Sequence, residues 1–434
     1  MLKVALQNLG CSKNQIDGER ILHFLKSSSF ECTGDFTEAD IIIVNTCAFI
    51  REAQEEAIES ILEMAELRKK EKCVRLVVSG CFSERYRAEV KKRFPEVDLW
   101  IGVDDWEQAL RSWLQNEAIF PSQEKALVLK TASFKRVLSE PVASQYLKIA
   151  EGCSHACTFC VIPSIRGPFK SRYKESILEE AQWLESMGVK ELILVAQDSS
   201  FYGRDTGLSL EKLLEFILDK TNFPWIRMMY LHPKYVTDRL ISLISSQPRL
   251  CPYFDIPLQH ISDTVLKAMN RTPLSEGIFK LVEKVRTRVP GAALRTSFIS
   301  GFPGETAADH DKLVRFVEEF RFDKVGVFPY SPEEGTKSYS MKKRPSAPMV
   351  HKRCEELMLI QREISREIQE SKVGSRIPVI VERVAEDPDF NYEARSRLDA
   401  PEIDGKVLIS KGSYEIGSIT EVTITGAGDY DLYA

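Results

Sequence analysis

Three cysteines lie close together in the segment EGCSHACTFCVIPSIRG, which spans residues 151–167. Cys153, Cys157 and Cys160 form the pattern C-x3-C-x2-C. Three thiolates on one tight loop can each bind one iron of a [4Fe–4S] cube and leave the fourth iron open for an exchangeable ligand. The neighbouring Gly152 would let the backbone turn close to such a cluster. The spacing therefore predicts an iron–sulfur cluster at this loop.

Zinc is the alternative occupant of these cysteines, because His155 could complete a set of four ligands. Zinc-binding loops usually combine a C-x2-C motif with a second pair of ligands downstream, and this sequence offers no such pair. We therefore expect an iron–sulfur cluster rather than zinc.

Three further cysteines, Cys11, Cys47 and Cys81, each end an apolar segment that predicts a strand: QNLGC, VNTC and VSGC. Loops at the carboxyl ends of neighbouring parallel strands converge in one crevice, so these side chains should meet. The N-termini of the helices that follow would favour an anionic thiolate cluster. We expect a second metal or cluster site here. The alternative is that three small buried side chains merely close the strand ends.

The remaining cysteines, Cys32, Cys73, Cys251 and Cys354, show no such placement and are expected to be structural. Disulfides are not expected in a reducing cytoplasm.

The cysteines of the second set need an α/β framework to bring them together. Strands are predicted at residues 3–9, 39–47 and 74–81, and helices at about 15–26 and 51–70. This alternation predicts a Rossmann-like parallel sheet covered by helices on both faces. Residues 111–143 are mixed in character and resemble a linker with one strand.

From residue 144 the alternation returns over a longer stretch. We predict six strands at residues 146–152, 191–198, 225–231, 253–259, 293–301 and 324–330, with helices between them. Six such units predict a partial (βα)6 barrel, whose active site would lie at the carboxyl ends of the strands. A charged helix at about 347–370 follows the barrel. The last 60 residues hold short β-rich segments and predict a small, OB-like antiparallel barrel.

The composition limits the possible classes of protein. The 434 residues carry a net charge of −5 with a pI of about 5.9, which argues mildly against a protein that mainly grips nucleic acid. No apolar run approaches the ~18 residues of a membrane span, and the N-terminus does not resemble a signal peptide. A cytoplasmic location is expected.

Five motifs carry a resemblance to a known family: NLGCSKNQIDGE, NTCAFI, EGCSHACTFCVIPSIRG, VAQDSSFYG and GFPGET. Together they resemble the radical S-adenosylmethionine (SAM) methylthiotransferases over essentially the whole chain, and within them the branch that modifies ribosomal protein S12. The tRNA-modifying branch typically has Gln-Met after its first cysteine, where this sequence has Ser12-Lys13. Gly18 and Ser154 also depart from the usual residues, but neither is a cluster ligand.

The resemblance implies an N-terminal methylthiotransferase domain at 1–115, a radical SAM domain at 144–370 and a TRAM domain at 373–434. It implies two [4Fe–4S] clusters, one on Cys153, Cys157 and Cys160 that binds SAM, and an auxiliary one. The auxiliary cluster ligands would be Cys11, Cys47 and Cys81.

The same resemblance implies the reaction. A reduced cluster splits SAM into methionine and a 5′-deoxyadenosyl radical, which removes a β-hydrogen from an aspartate of ribosomal protein S12. Sulfur from the auxiliary side and a methyl group from a second SAM then give 3-methylthioaspartate. An electron donor is required.

Contacts to SAM are expected from residues at strand ends: Phe159, Gln197, Asp198, Gln259 and Arg295. Phe159 could pack on the adenine, and family members meet the SAM amino group near Gln197 and Asp198. For each, the alternative is a polar or aromatic side chain that satisfies the fold alone.

Two other features near strand ends are expected to be structural. Gly301, Gly304 and Glu305 form a glycine-rich turn without the Gly-Lys-Ser/Thr of a phosphate-binding loop, so ATP binding is not expected. His260 is expected to be a structural histidine rather than a general base.

The last domain bears on the substrate. From Val373 on there are twelve acidic and six basic residues, a net charge of −6. Such a domain suits a basic ribosomal protein better than RNA, although it could simply be a solvated surface. A tRNA methylthiotransferase is the nearest alternative. A non-catalytic RNA-binding protein with zinc-filled cysteine sites is a more distant one.

Overall fold

The computed structural model describes residues 2–70, 75–116, 134–139 and 141–434. The chain divides into two units. The first holds the described residues up to Ser139, together with Glu151–His155 and Cys160–Lys170. The second holds the remaining described residues. Cys73 and most of the expected linker, residues 117–133, lie outside the described residues.

The first unit begins with alternating strands and helices. Their bounds are β1 (Lys3–Asn8), α1 (Ser12–Ser27), β2 (Glu31–Cys32), β3 (Ile41–Thr46), α2 (Arg51–Lys70), β4 (Arg75–Gly80), α3 (Cys81–Val90), β5 (Leu99–Trp100) and α4 (Trp106–Asn116). The strands form one parallel sheet in the order β2-β1-β3-β4-β5, which confirms the predicted α/β class.

Strand β3 shows why this sheet is covered on both faces. Its residues are all buried, and successive side chains of a strand point to opposite faces. Ile42 and Val44 pack in a core with Ala57 and Ile61 of α2. The intervening Ile41 and Ile43 pack in the core that contains Phe24 of α1 and Leu110 of α4.

The barrel region follows. Its helices and strands belong to the second unit, except for α5 and one residue each of β7 and β8, which belong to the first. The bounds are β6 (Ser144–Lys148), β7 (Ala150–Glu151), α5 (Ile162–Arg166), β8 (Lys170–Ser171), α6 (Lys174–Ser186), β9 (Glu191–Val195), α7 (Leu210–Lys220), β10 (Trp225–Met228), α8 (Asp238–Ser246), β11 (Tyr253–Asp255), α9 (Asp263–Ala268), α10 (Ser275–Arg288), β12 (Ala293–Ser300), α11 (Ala307–Phe320), β13 (Lys324–Pro329) and α12 (Ala347–Glu370). Short 3-10 helices lie at Ser199–Phe201, Pro233–Tyr235 and Lys337–Ser340.

The six predicted barrel strands are present and parallel. They form two three-stranded sheets, ordered β10-β9-β6 and β11-β12-β13. A single parallel bridge between Ile226 and Leu250 extends the pairing beyond β10. All six strands are shorter than predicted, because the residues at their carboxyl ends leave the ladder and enter loops.

The last strands are β14 (Arg376–Val384), β15 (Tyr392–Ser396), β16 (Val407–Ile409), β17 (Ile419–Thr423), β18 (Gly426–Ala427) and β19 (Leu432–Tyr433). Their order is β17-β14-β15-β16-β19-β18. The two edge strands, β17 and β18, are separated by only two residues of chain, so the sheet curls on itself. The other main pairs are antiparallel as predicted, and one pair, β16 with β19, is parallel.

This C-terminal domain packs against the amino-terminal ends of the barrel strands. Each of the six strands contributes one polar residue near its start: Ser144, Glu191, Arg227, Tyr253, Arg295 and Lys324. Each of these residues has at least one partner among residues 395–404 of the C-terminal domain.

Glu191 lies at the centre of these contacts and is fully buried. It forms ion pairs with Arg395 of the C-terminal domain and with Arg227, whose Nε is 2.7 Å from the Glu191 carboxylate. Arg395 also donates to Ser144 at 2.9 Å, and its third partner is Glu382. Burial would raise the pKa of Glu191, but the two guanidinium groups lower it below its usual value.

The strands of the second sheet, β11, β12 and β13, also contact the C-terminal domain through polar side chains. Tyr253 donates to the Asp404 carboxylate at 2.6 Å, and Arg295 lies 3.6 Å from the same side chain. Lys324 forms a buried ion pair of 2.5 Å with Asp399.

No helix in the described part of the chain is both long and apolar enough to cross a membrane.

Candidate iron–sulfur and SAM site

Cys11, Cys47 and Cys81 follow three strands that are adjacent in the sheet, β1, β3 and β4. Cys47 comes directly after β3. Cys11 is the N-cap residue of α1, and Cys81 is the first residue of α3. The strands end almost level, since Asn8 pairs with Asn45 and Asn45 with Ser79.

Two glycines let these strand ends approach one another. Gly10 has a φ of 91°, and a Cβ there would lie 2.7 Å from the Cβ and 3.1 Å from the Sγ of Cys47. Gly80 has a φ of 89°, and its Cβ would lie 2.5 Å from the carbonyl oxygen of Thr46. Only glycine tolerates both the positive φ and the close approach.

The pKa values of Cys47 and Cys81 respond to the other cysteines of this triad. Burial raises the pKa of Cys47, and the neighbouring Cys11 adds to the rise. Burial raises the pKa of Cys81 to about 12, with further contributions from Cys47 and Cys11. The structure thus brings together the three cysteines that are 36 and 34 residues apart in the sequence.

Buried amides hold the loops that carry the triad. The Asn14 side chain donates to the carbonyls of Leu9, Asn45 and Thr46, at 2.6, 3.3 and 3.2 Å. The Asn45 side chain donates to Asn8 and to the Asn14 carbonyl, both at 2.7 Å. Sequence reasoning missed both asparagines. The signal available was Asn45, a polar residue at the end of the otherwise apolar run Ile41–Val44.

Arg166 is a buried cation at this site, and sequence reasoning missed it as well. Its side chain is 1% exposed and forms ion pairs with Glu151 at 2.9 Å and Asp17 at 3.2 Å. It also donates to the Sγ of Cys81 and to the Asn14 side chain, each at 3.5 Å. All five residues belong to the first unit.

The charges around Cys11 favour its thiolate. Burial alone would raise its pKa, but the positive charges of Lys13 and Arg166 and the backbone N–H groups of Asn14 and Lys13 lower it. The N-terminus of α1, where Cys11 is the cap, acts in the same direction.

The other cysteine set lies on the loop that follows β7. Gly152 opens this loop with a φ of 71°, and a Cβ there would lie 2.3 Å from the carbonyl oxygen of Pro168. In the first unit, the backbone N–H of Cys153 donates to Gly167 at 3.1 Å, and the Cys153 thiol accepts from the N–H of His155 at 3.5 Å. His155 therefore contacts the Cys153 thiol through its own backbone N–H.

In the second unit, Cys157 lies beside another buried arginine. The guanidinium of Arg271 is 3.8 Å from the Cys157 Sγ and donates to the Pro257 carbonyl at 2.5 Å. The Nε of Arg271 is buried and has no hydrogen-bond partner among the described residues.

The donor sets fit iron–sulfur clusters. Ser12 and Ser83, which follow Cys11 and Cys81 closely, have buried hydroxyls without a hydrogen-bond partner in the described parts of the chain. Within those parts, no three His, Cys, Asp or Glu side chains converge on a single metal ion. A cube does not require this, because its thiolates bind separate irons.

Three of the expected SAM residues lie at the carboxyl side of their strands. Phe159 packs edge-on against Phe302, with ring centroids 6.4 Å apart. Gln197 and Asp198 follow β9. Asp198 is buried and accepts hydrogen bonds from the Ser200 hydroxyl at 2.5 Å and from the His232 N–H at 3.3 Å, so it also organises this loop.

Gln259 and Arg295 differ in their placement. Gln259 has a φ of 73° and bridges Phe298 near the carboxyl end of β12, where a SAM contact is feasible. Arg295 is the third residue of β12, and its guanidinium is paired with Asp255 at 3.0 Å and with Asp404. The expectation for Arg295 is therefore corrected. It lies towards the amino-terminal end of the barrel and joins the C-terminal domain.

His260 has the environment of a structural histidine. Its side chain is fully buried, and Nδ1 accepts from the N–H of Ser262 at 2.9 Å. Burial lowers its pKa to about 4, against a raising effect of Asp309. Glu305, in the glycine-rich turn, accepts from the N–H groups of Gly301 and Phe302 and pairs with Arg353.

Family models match three segments of the chain. The model described as uncharacterized protein family UPF0004 matches residues 3–102, the radical SAM superfamily model matches 147–317, and the TRAM domain model matches 373–434. A ribosomal protein uS12 methylthiotransferase RimO from Geotalea uraniireducens is 43% identical over 99% of this chain and 97% of its own. This chain belongs to the RimO family of radical SAM methylthiotransferases.

Other members of the family match to a similar extent. The RimO proteins of Geobacter sulfurreducens and Clostridium botulinum are each 42% identical over 99% of this chain and 97% of their own length. As a family member, this chain is a radical SAM enzyme that uses SAM and [4Fe–4S] clusters.

Solved structures agree on the fold. The radical SAM methyltransferase TsrM from Kitasatospora setae matches with a TM-score of 0.57 at 13% identity, over 85% of this chain and 90% of its own. The cobalamin-dependent radical SAM enzyme OxsB matches with a TM-score of 0.52 at 14% identity, over 83% of this chain and 56% of its own. At these identities the likeness concerns the fold alone.

Some acidic residues of the C-terminal domain pair with basic residues of the protein, and others are exposed. At least six of the twelve take part in ion pairs with other described residues: Glu382, Glu393, Asp399, Asp404, Glu421 and Asp429. Asp399 and Asp404 are used to bind the barrel and do not face a partner. Glu386, Asp387 and Asp389 are exposed on the loop between β14 and β15.

Proposed function

We propose that this chain adds a methylthio group to the β-carbon of an aspartate in ribosomal protein uS12, giving 3-methylthioaspartate. The observation that carries the proposal is the convergence of Cys11, Cys47 and Cys81 at one sheet edge in a chain that also carries a C-x3-C-x2-C loop. A radical enzyme needs only the loop, whereas sulfur insertion requires a second centre. Full-length similarity to uS12 methylthiotransferases supports this substrate.

The two cysteine sets have different roles. Cys153, Cys157 and Cys160 would hold the SAM-binding cluster, and Cys11, Cys47 and Cys81 the auxiliary cluster. When bound, the clusters and SAM supply the means to break an unactivated C–H bond and to deliver sulfur and a methyl group. The chain provides anionic ligands and the buried cations Arg166 and Arg271.

Four residues remain proposed SAM contacts: Phe159, Gln197, Asp198 and Gln259. Phe159 offers an aromatic surface, and the other three offer polar groups at strand ends. The reaction also needs an electron donor. Because ribosomal proteins are made and assembled in the cytoplasm, we place the reaction there, with the small ribosomal subunit as the place where uS12 is met.

The cluster assignment is tested by iron and sulfide analysis of anaerobically purified protein. About eight irons per chain are expected, and about four after alanine replacement of either cysteine set. The matched control is Cys32→Ala, a half-buried cysteine outside both sets, which should leave the iron content unchanged. Full iron content after replacement of Cys11, Cys47 and Cys81 would contradict the second centre, and bound zinc would contradict both.

The substrate is tested by mass spectrometry of uS12 from cells that lack this gene. The aspartate should lack the methylthio group and regain it when the gene is restored. A triple variant of Cys11, Cys47 and Cys81 should fail to restore it. A uS12 that keeps its modification without the gene, together with tight salt-sensitive tRNA binding by the protein, would point to a tRNA substrate instead.

A further inference from the structure

Arg166 connects two parts of the chain that carry different cysteine sets. It lies six residues after Cys160, and its partner Glu151 lies two residues before Cys153. The same guanidinium reaches Cys81 and Asp17 of the N-terminal domain. A single buried cation therefore joins the base of the C-x3-C-x2-C loop to the other triad, all within the first unit.

The guanidinium of Arg166 is buried and is paired with two carboxylates. Its side chain is 1% exposed, so its charge is screened little by water. Two carboxylates balance it, with Asp17 13% exposed. A fixed buried charge beside a thiolate ligand affects the energy of any cluster that the thiolate holds.

We propose that Arg166 is a positioning residue that raises the reduction potential of the cluster held by Cys11, Cys47 and Cys81. The inference rests on the proposed function, because it assumes a cluster on these cysteines. A reduced cluster carries one more negative charge than an oxidised one, so a nearby cation stabilises the reduced form more. Hydrogen bonds to cluster sulfur atoms act in the same direction.

Removing the cation and removing one of its anionic partners should shift the reduction potential of this cluster in opposite directions. Arg166→Gln removes the cation and leaves Asp17 and Glu151 uncompensated, so the potential should fall. Asp17→Asn keeps the guanidinium and removes one compensating anion, so the potential should rise. Arg166→Lys keeps a charge but not the forked geometry, and should lie between Arg166→Gln and the parent protein.

The experiment uses the full chain with Cys153, Cys157 and Cys160 replaced by alanine, so that only one cluster is titrated. Reduction is followed anaerobically by electron paramagnetic resonance against a stepped reductant potential. For Arg166→Gln we expect the equilibrium constant of reduction to fall about tenfold, which is 59 mV for one electron. The control Arg136→Gln breaks the buried ion pair with Glu19 in the same unit and should leave the potential unchanged.

The experiment distinguishes a failure of the cluster assignment from a failure of the role proposed for Arg166. Absence of iron from the parent triple-alanine protein would contradict the cluster assignment itself. A bound cluster whose potential moves in the same direction, or not at all, in Arg166→Gln and Asp17→Asn would overturn the role of Arg166. If Arg166→Gln fails to fold, the rise expected for Asp17→Asn still decides the question.

Discussion

Gly80 joins β4 to the helix that begins with Cys81, with no loop between them. Its positive φ turns the chain so that a cysteine stands directly at the strand end, and the missing Cβ leaves room for the carbonyl of Thr46. The position of the cysteine triad thus depends on a residue that cannot bind a metal.

Gly80→Ala should therefore destabilise the N-terminal domain and empty its cluster site. A left-handed backbone at a non-glycine residue together with a 2.5 Å contact should cost about 2 kcal/mol or more. Iron content should fall from about eight to about four per chain, as measured with thermal unfolding of the same samples. Gly34→Ala is the control, since nothing lies within 4 Å of a Cβ there. Equal behaviour of the two variants would refute the steric argument.

His260 gives the protein a predictable response to acid. Its pKa is about 4 in the folded protein because of burial, below the usual 6.5. The unfolded chain therefore binds the proton more readily, so this stability is present above pH 6.5 and is lost as the pH falls towards 4. Between pH 7.5 and 5 the loss should be about 2 kcal/mol.

Denaturant unfolding of the parent and of His260→Gln at these two pH values tests this. The stability difference between them should shrink by about that amount at the lower pH. His351→Gln, at an exposed position on α12, should follow the parent. A constant difference between the parent and His260→Gln would show that His260 is not buried in its neutral form.

Among the elements, helix α7 has an end that depends on a distant side chain. Arg249, beyond α8, donates to the carbonyls of Leu218, Thr221 and Phe223 at 2.9, 2.7 and 2.7 Å. Carbonyl groups at a helix C-terminus lack partners within the helix, so a forked cation suits this position.

Arg249→Met should lower the free energy of unfolding by about 2–3 kcal/mol, because three carbonyl groups lose charged donors. Arg239→Met is the matched control. Its ion pair with Glu215 is exposed, so the loss should stay below about 1 kcal/mol. Equal losses in urea titrations would contradict the capping role.

The elements could be predicted because their signals are local. The β-branched run Ile41–Val44 and the period of α2 mark a strand and a helix, and the alternation places three cysteines at one sheet edge. Helix α1 begins at Ser12, three residues before its predicted start, and its first backbone hydrogen bond runs from Gln15 to the Cys11 carbonyl. Arg295 was misplaced because a strand pattern does not tell which part of the strand faces a ligand. Arg166 was missed because its partners are up to 152 residues away.

At the scale of the whole molecule, the C-terminal domain closes the amino-terminal end of the barrel through buried charges. The sequence suggested an acidic domain, but not that Asp399 and Asp404 turn inward to Lys324 and Arg295. Pairings of this kind connect residues that no local pattern relates, so the sequence could not reveal them. The domain limits 1–115, 144–370 and 373–434 remain predictions.

Arg395→Met should destabilise the barrel and the C-terminal domain together, by about 3–5 kcal/mol, because Glu191 would keep a buried charge with one partner fewer. Arg383→Met, whose side chain is 51% exposed beside Glu393, should cost less than about 1 kcal/mol. Hydrogen exchange of β6 and β9 reports the effect. Unchanged protection in Arg395→Met would show that the two domains are energetically independent.

The buried pair of Arg395 and Glu191 also constrains the order of events during synthesis. Arg395 is made 204 residues after Glu191 and 251 residues after Ser144. While the chain is still emerging from the ribosome, the barrel strands are complete but their charged starts must stay in water. The docking of the C-terminal domain on the barrel therefore waits until Arg395 and the residues around it have been made. Contacts this distant in sequence form slowly, and the open intermediate is the state in which chaperones would be needed.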